Sequence, residues 1–391
     1  MSKKNALLIV LPVMFGFFIM GFVDLIGTAI NYVKTDLSVN DTTANLLSLS
    51  CFLWFLILSV PTGFLMNRFG RKNAVLISFV ITLFGLLLPF FLYKNGQSKI
   101  DFSVIFIAFM FIGIGNTIIQ VALNPLVTNV VSGDRLTGTL TLGQFVKALA
   151  SWLGPNVAAW LAASVFGWKY VFLIFAAITL LAALWLFFTP IPEEGEKNQI
   201  SFAATFSLLK DKKILMFFIG ILVLVGVDVG LSATLPKYLM EKCPTIADIS
   251  HADQLKSYYY FIVRALGAFA GGILLMKVSE RPFYIISTLL VTAGLALMLL
   301  SKTEWSILTA TVIIALGYSN LFAIIFSQAL KHLPSKANEI SSLLIVGVSG
   351  GAIATLLGIV SDAFGTQWAA MAVIAFIWLY MIGLISAIRK N

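Results

Sequence analysis

Four ionisable side chains stand inside long apolar runs of this sequence: Asp24 in GFVDLIG, Lys147 in GQFVKALAS, Asp228 in GVDVG and Arg264 in FIVRALG. A charge at the centre of a membrane helix costs about 2.5–3.5 kcal/mol on insertion scales, so each needs a partner or a water-filled cavity. Burial disfavours the charged form of a carboxylate, so Asp24 can take up a proton on one side of a membrane and release it on the other. A nearby ammonium at Lys147 would instead hold Asp24 ionised, and a proton or an anionic ligand would then act by breaking that pair. The residues leave both possibilities open. A buried pair that only fixes helix packing explains any one of the four; together they favour a transport pathway.

Uncharged polar residues accompany them at helical spacing. Asn116, Gln120 and Asn124 recur every four residues, and Gln144, Lys147 and Ser151 form a second stripe. Amides both donate and accept hydrogen bonds, which suits ligands dense in hydroxyls, although such stripes also glue helices together. The expected substrate-binding set is Asp24, Asn116, Gln120, Asn124, Gln144, Lys147, Asp228 and Asn320, with Asp24 also carrying the coupling proton. No P-loop, H-E-x-x-H or other catalytic pattern occurs, so no enzymatic activity, metal or cofactor is expected. Gly113, Gly115, Gly143, Gly271 and Gly272 read as sites of close helix approach.

The elements that carry these residues follow from composition. The chain is 60% hydrophobic and 11% charged, against about 25% charged in soluble proteins, and its mean hydropathy is +0.99. That is the composition of an integral membrane protein. Twelve apolar stretches are each long enough to span the hydrocarbon: 6–33, 43–66, 73–93, 102–131, 137–165, 168–189, 213–240, 255–279, 282–301, 305–331, 338–362 and 367–388. With the amino terminus inside, about 16 Lys and Arg lie on the cytoplasmic side and about 8 on the other, which places both termini in the cytoplasm. The net charge of +9 is spread over the loops, so it sets orientation and does not signal a nucleic-acid partner. Cys51 falls in a span and Cys243 in a loop, which rules against a disulfide between them. Short loops and compact length suggest a bacterial cytoplasmic membrane, and a monomer is expected.

The stretch TPIPEEGEKNQISF, 189–202, reads as a linker between two six-helix halves. The expected division is a bundle over 1–189, a cytoplasmic linker over 190–212 and a second bundle over 213–391. The halves echo each other: GIGN at 113–116 recurs as GYSN at 317–320, GFVDLIG at 21–27 as GVDVG at 226–230, and LMNRFGR at 65–71 as LMKVSER at 275–281. Such parallel repeats place a substrate site near mid-bilayer between the halves.

The loop GFLMNRFGRK, 63–72, resembles the signature of the major facilitator transporters between helices two and three, with Asn67 where an acid is usual. Gly63, Arg68, Gly70 and Arg71, together with Arg264, are therefore expected to serve structure and gating. QVALNPLV at 120–127, LTLGQFVKALASWLG at 140–154, FIVRALG at 261–267 and the run 347–362 resemble the fucose permease branch, proton-coupled symporters of fucose, galactose and glucose. The resemblance implies an all-α fold of twelve transmembrane helices in two pseudo-symmetric bundles, with alternating access and Asp24 at the family's acidic position in helix one. Arg264 matches an arginine that the branch also has. Two departures stand out. Gln120 replaces a glutamate thought to carry the coupling proton, and Lys147 replaces a neutral amide that contacts sugar. The expected function is import of a monosaccharide or sugar derivative by proton symport; the alternatives are a uniporter or a carrier of an anionic sugar or organic acid anchored by Lys147, and, remotely, a non-transporting sugar sensor.

Overall fold

The computed structural model describes residues 3–94, 99–128, 135–191, 202–275, 278–333 and 336–388. Those residues are helical almost throughout. The first pass consists of α1 (Lys3–Met20) and α2 (Ile26–Leu37), joined by a 3-10 segment, Gly21–Leu25. Single helices follow: α3 (Asp41–Phe69), α4 (Arg71–Leu92), α5 (Lys99–Thr128), α6 (Arg135–Ala162) and α7 (Tyr170–Phe188). A short helix, α8 (Phe202–Ser207), lies within the expected linker, whose residues 192–201 are outside the described set. The second half begins with α9 (Lys212–Lys242). Its next pass is compound: α10 (Ile249–Lys256), a π segment (Ser257–Ile262) and α11 (Val263–Leu274). Then come α12 (Glu280–Leu300), α13 (Glu304–Tyr318) with α14 (Leu321–His332), α15 (Ala337–Val346) with α16 (Ile353–Phe364), and α17 (Gln367–Gly383).

Counted as passes, these helices give the expected twelve, and the all-α, two-bundle fold is as expected. Among the described residues, ten segments are long and apolar enough to cross a membrane by composition alone. The two passes outside that set are α6 and the α10–α11 compound. Both are the polar ones: α6 carries Gln144, Lys147 and Ser151, and the compound carries Asp253, Lys256 and Arg264.

The largest boundary difference lies at the compound pass, which starts at Ile249 and not at 255. The stretch ISHADQLK looks like a polar loop, but Asp253 and Lys256 are both fully buried and neutralise each other at 2.5 Å. Burial of such a pair is tolerable only when its remaining bonds are satisfied. Here Thr28 donates to Asp253 Oδ2 at 2.7 Å, and Lys256 donates to the Ser232 carbonyl at 3.2 Å.

Glycines set the closest approaches. A Cβ on Gly113 would sit 2.2 Å from the Cys51 carbonyl oxygen, and one on Gly350 only 1.9 Å from that of Leu222, so α5 lies on α3 and the α15–α16 break lies on α9 backbone to backbone. Gly70, at φ +86°, is the sole residue between α3 and α4. Its N–H bonds back to the Met66 carbonyl at 2.8 Å, and its own carbonyl accepts from Ala74 at 3.1 Å. Beyond this turn Lys72 donates to the carbonyls of Phe187 and Thr189 at 3.0 and 2.8 Å, placing a cation on the C-terminal end of α7. Gly63 is buried in α3, and Arg68 lies over the Phe69 ring, 5.2 Å from its centroid.

The two halves are tied by polar bonds at the end of the molecule where α2 turns into α3. Buried Asp41 is the hub. Its Oδ1 receives Lys34 at 2.7 Å and Lys237 of the other half at 2.8 Å. Its Oδ2 accepts from Ser361 at 3.0 Å and from Gln367 at 2.5 Å. Asp362 in turn accepts the backbone N–H groups of Asp41 and Thr42 at 3.0 and 2.6 Å, capping α3 from the opposite half.

Candidate functional site

Helix one tightens into its 3-10 segment where it meets α6. A Cβ on Gly21 would stand 2.5 Å from the Lys147 carbonyl oxygen and 2.7 Å from the Ala150 Cβ, so only glycine lets the 3-10 segment lie this close. That contact brings Asp24 to α6, where Ser151 Oγ donates to its Oδ2 at 2.5 Å. Asn116 supports the same break from α5, its amide donating to the Met20 carbonyl at 2.9 Å. Gln120 donates in turn to Asn116 Oδ1 at 2.8 Å. Two members of the amide stripe therefore hold helix one in place in this state. The third, Asn124, lies on α5, but its side chain is outside the described residues.

On α6 the arrangement differs. Ser151 is committed to Asp24, one turn from Lys147 on the same face. The side chains of Gln144 and Lys147 are half-buried and make no hydrogen bond or ion pair with any described residue. Asp24 and Lys147 do not form a salt bridge; the carboxylate is held by a hydroxyl.

The opposing wall is a charged knot on the second half. Arg264 Nη1 donates to both oxygens of Asp228, at 2.5 and 2.6 Å, and Tyr260 adds its hydroxyl at 2.7 Å. The guanidinium carbon stands 5.1 Å from the Tyr318 ring centroid and 5.9 Å from that of Tyr260. Tyr260 belongs to the π segment, so the backbone irregularity of this pass lies beside its ionisable residue, as in the first pass. Asn320, at the α13–α14 junction, donates to the Gly267 carbonyl at 2.9 Å and fills the space above Gly271, a packing contact in this state.

Asp24 and Ile26 from the first half and Asp228, Val229, Ser232 and Phe261 from the second line one narrow cleft between the halves. It has room for about one water molecule. The structure thus brings Asp24 and Asp228 to a common opening and puts Lys147 a helical turn from Ser151, which holds Asp24. Tyr260, Tyr318, Ser232 and Phe261 were not in the expected set, nor was Ser151, although its spacing to Lys147 was legible. Tyr260 also stands one turn before Arg264, a signal that spacing alone supplied. No cluster of acidic, histidine or cysteine side chains suited to a metal occurs among the described residues.

Comparison with known proteins places this geometry. The family model described as Major Facilitator Superfamily matches residues 12–243. A glucose/galactose transporter of Brucella abortus biovar 1 is 27% identical over 409 residues, 99% of this chain and 96% of the relative. A probable nitrate transporter, NarT, of Staphylococcus haemolyticus is 24% identical, covering 95% of this chain and 93% of its own. Among solved structures, the E. coli fucose:proton symporter FucP aligns with a TM-score of 0.72 at 17% identity, covering 98% of both chains. The nucleoside transporter NupG aligns with a TM-score of 0.75 at 16% identity, covering 98% of this chain and 100% of its own. The major facilitator fold expected from the sequence is thus matched along the whole length.

Proposed function

Because the chain belongs to the Major Facilitator Superfamily, we propose that it is a secondary transporter importing a monosaccharide or close sugar derivative together with protons. One observation carries the reading: Asp24, a carboxylate at bilayer depth, faces a cleft shared by the two halves and is held there by a single hydroxyl. A group so placed can exchange its proton with whichever side the cleft opens to. Gln120 does not titrate and is bonded to Asn116, which leaves proton handling to Asp24. The name of the Brucella relative and that of the fucose:proton symporter support sugar as cargo and proton as partner.

In this reading the bundles over 1–189 and 213–391 rock about the cleft, joined by a cytoplasmic linker over 190–212. Both termini face the cytoplasm of a bacterial cell, and the protein works as a monomer in its inner membrane. The end tied by Asp41 is then the outer one, and the structure is a state closed to the outside.

Uptake into proteoliposomes tests the proposal. Asp24→Asn is expected to abolish accumulation of labelled sugar driven by a pH gradient while sugar counterflow persists. Accumulation that survives the substitution would falsify the proton assignment, and counterflow with no gradient-driven uptake even in the unaltered protein would make it a uniporter.

A further inference from the structure

We infer that the substrate is an acidic sugar, whose carboxylate binds the Lys147 ammonium with Gln144 beside it; this rests on the sugar-transport reading above. Lys147 stands twelve residues into the 28-residue helix α6, about 18 Å from its start at 1.5 Å per residue. That depth is beyond what a lysine side chain reaches by bending toward either interface. The ammonium is half-buried, and no described carboxylate, hydroxyl or carbonyl receives it. The other charges within the bundle have their bonds inside the protein: Arg264 with Asp228, Lys256 with Asp253, Asp24 with Ser151. An unpaired cation in the interior of a membrane bundle is costly, and Ser151, one turn on from Lys147 along α6, is bonded to the cleft-lining Asp24.

Charge balance points the same way. Asp228 and Arg264 cancel. In the empty carrier Asp24 and Lys147 sum to zero. Binding one carboxylate at Lys147 and one proton at Asp24 leaves the sum at zero, so empty and loaded carriers cross the low-dielectric interior equally neutral. A neutral sugar with a proton would leave the loaded site with an unmatched positive charge. Gln144, three residues before Lys147 on the same face, offers an amide to a neighbouring hydroxyl of the same ligand.

The test compares matched probes, galactose with galacturonate and glucose with glucuronate, which differ only in the group at carbon six. Binding to the purified full chain is measured for the unaltered protein, Lys147→Gln and Lys147→Arg. Expected is tighter binding of the hexuronate than of its hexose by tenfold or more, about 1.4 kcal/mol. Lys147→Gln should remove that preference while keeping the unaltered protein's elution volume and melting temperature, which shows the variant to be folded; Lys147→Arg should retain most of it. Hexoses that bind as tightly as hexuronates overturn the inference alone. So does a hexuronate preference that survives in Lys147→Gln. If none of the four sugars binds, the sugar-transport reading falls as well.

Discussion

At the scale of single residues, the site is held by pairs of unequal strength. The Arg264 bond to Asp228 is mostly buried, each side chain 15% exposed, and is reinforced by Tyr260; removing one member leaves the other charge poorly compensated, at up to about 3–5 kcal/mol. Arg264→Met is therefore expected to lower the apparent melting temperature of the purified protein sharply, whereas Asp228→Asn combined with Arg264→Met should recover most of the loss. Equal melting temperatures for single and double variants would show that the pair is not coupled. Asp24, by contrast, loses only one neutral hydroxyl bond in Ser151→Ala, worth roughly 1–3 kcal/mol to a charged acceptor. Its consequence should be seen in transport more than in stability.

The elements that carry these residues are irregular where the chemistry is. Four passes are interrupted: the first at Gly21–Leu25, the eighth at Ser257–Ile262, the tenth at Asn320 and the eleventh at Gly347–Ala352. Where the α-helical hydrogen-bond ladder is interrupted, backbone groups need other partners, which is the work of Asn116 at Met20. Glycine contacts fix where neighbouring helices cross. Gly350→Ala would drive a methyl to 1.9 Å from the Leu222 carbonyl, forcing a shift of α9 against the break in pass eleven. A loss of about 1–3 kcal/mol, read as a lower unfolding midpoint, is expected there. Gly383→Ala is the matched control, since nothing lies within 4 Å of its added Cβ and its midpoint should not fall.

Across the whole molecule, the halves meet through polar bonds centred on Asp41 at one end, through the buried Thr28–Asp253 hydrogen bond, and through apolar contacts, among them the Phe145 and Phe269 rings at 5.6 Å. Lys237 is 8% exposed and reaches Asp41 across the divide, so opening that end must break this ion pair, the Ser361 and Gln367 bonds and the Asp362 cap together. Lys237→Met should shift the population toward the state open at that end. A cysteine placed at Ser232, in a background with Cys51 and Cys243 replaced, lines the cleft and reports it. Labelling by a membrane-impermeant thiol reagent from outside should quicken about tenfold in the Lys237→Met background, corresponding to about 1.4 kcal/mol of population shift. An unchanged rate would mean that these bonds do not hold the gate.

Sequence by itself determined the medium, the class of fold and four of the intramembrane charges, although not the buried Asp253–Lys256 pair. Apolar length sets the number of passes, and Asp24, Lys147, Asp228 and Arg264 are conspicuous because hydrocarbon tolerates few such residues. Recurring GIGN and GYSN made the internal duplication legible as well. What only the tertiary structure decided is partnership. That Arg264 takes Asp228 and Lys256 takes Asp253, that Asp24 rests on Ser151 and not on Lys147, and that Asp41 joins residues 196 to 326 positions away all depend on which helix faces lie against each other. Periodicity shows which residues share a face of one helix. The neighbour of that face is set by backbone approach at residues such as Gly21 and Gly350, whose fit depends on the shape of a second helix distant in the chain.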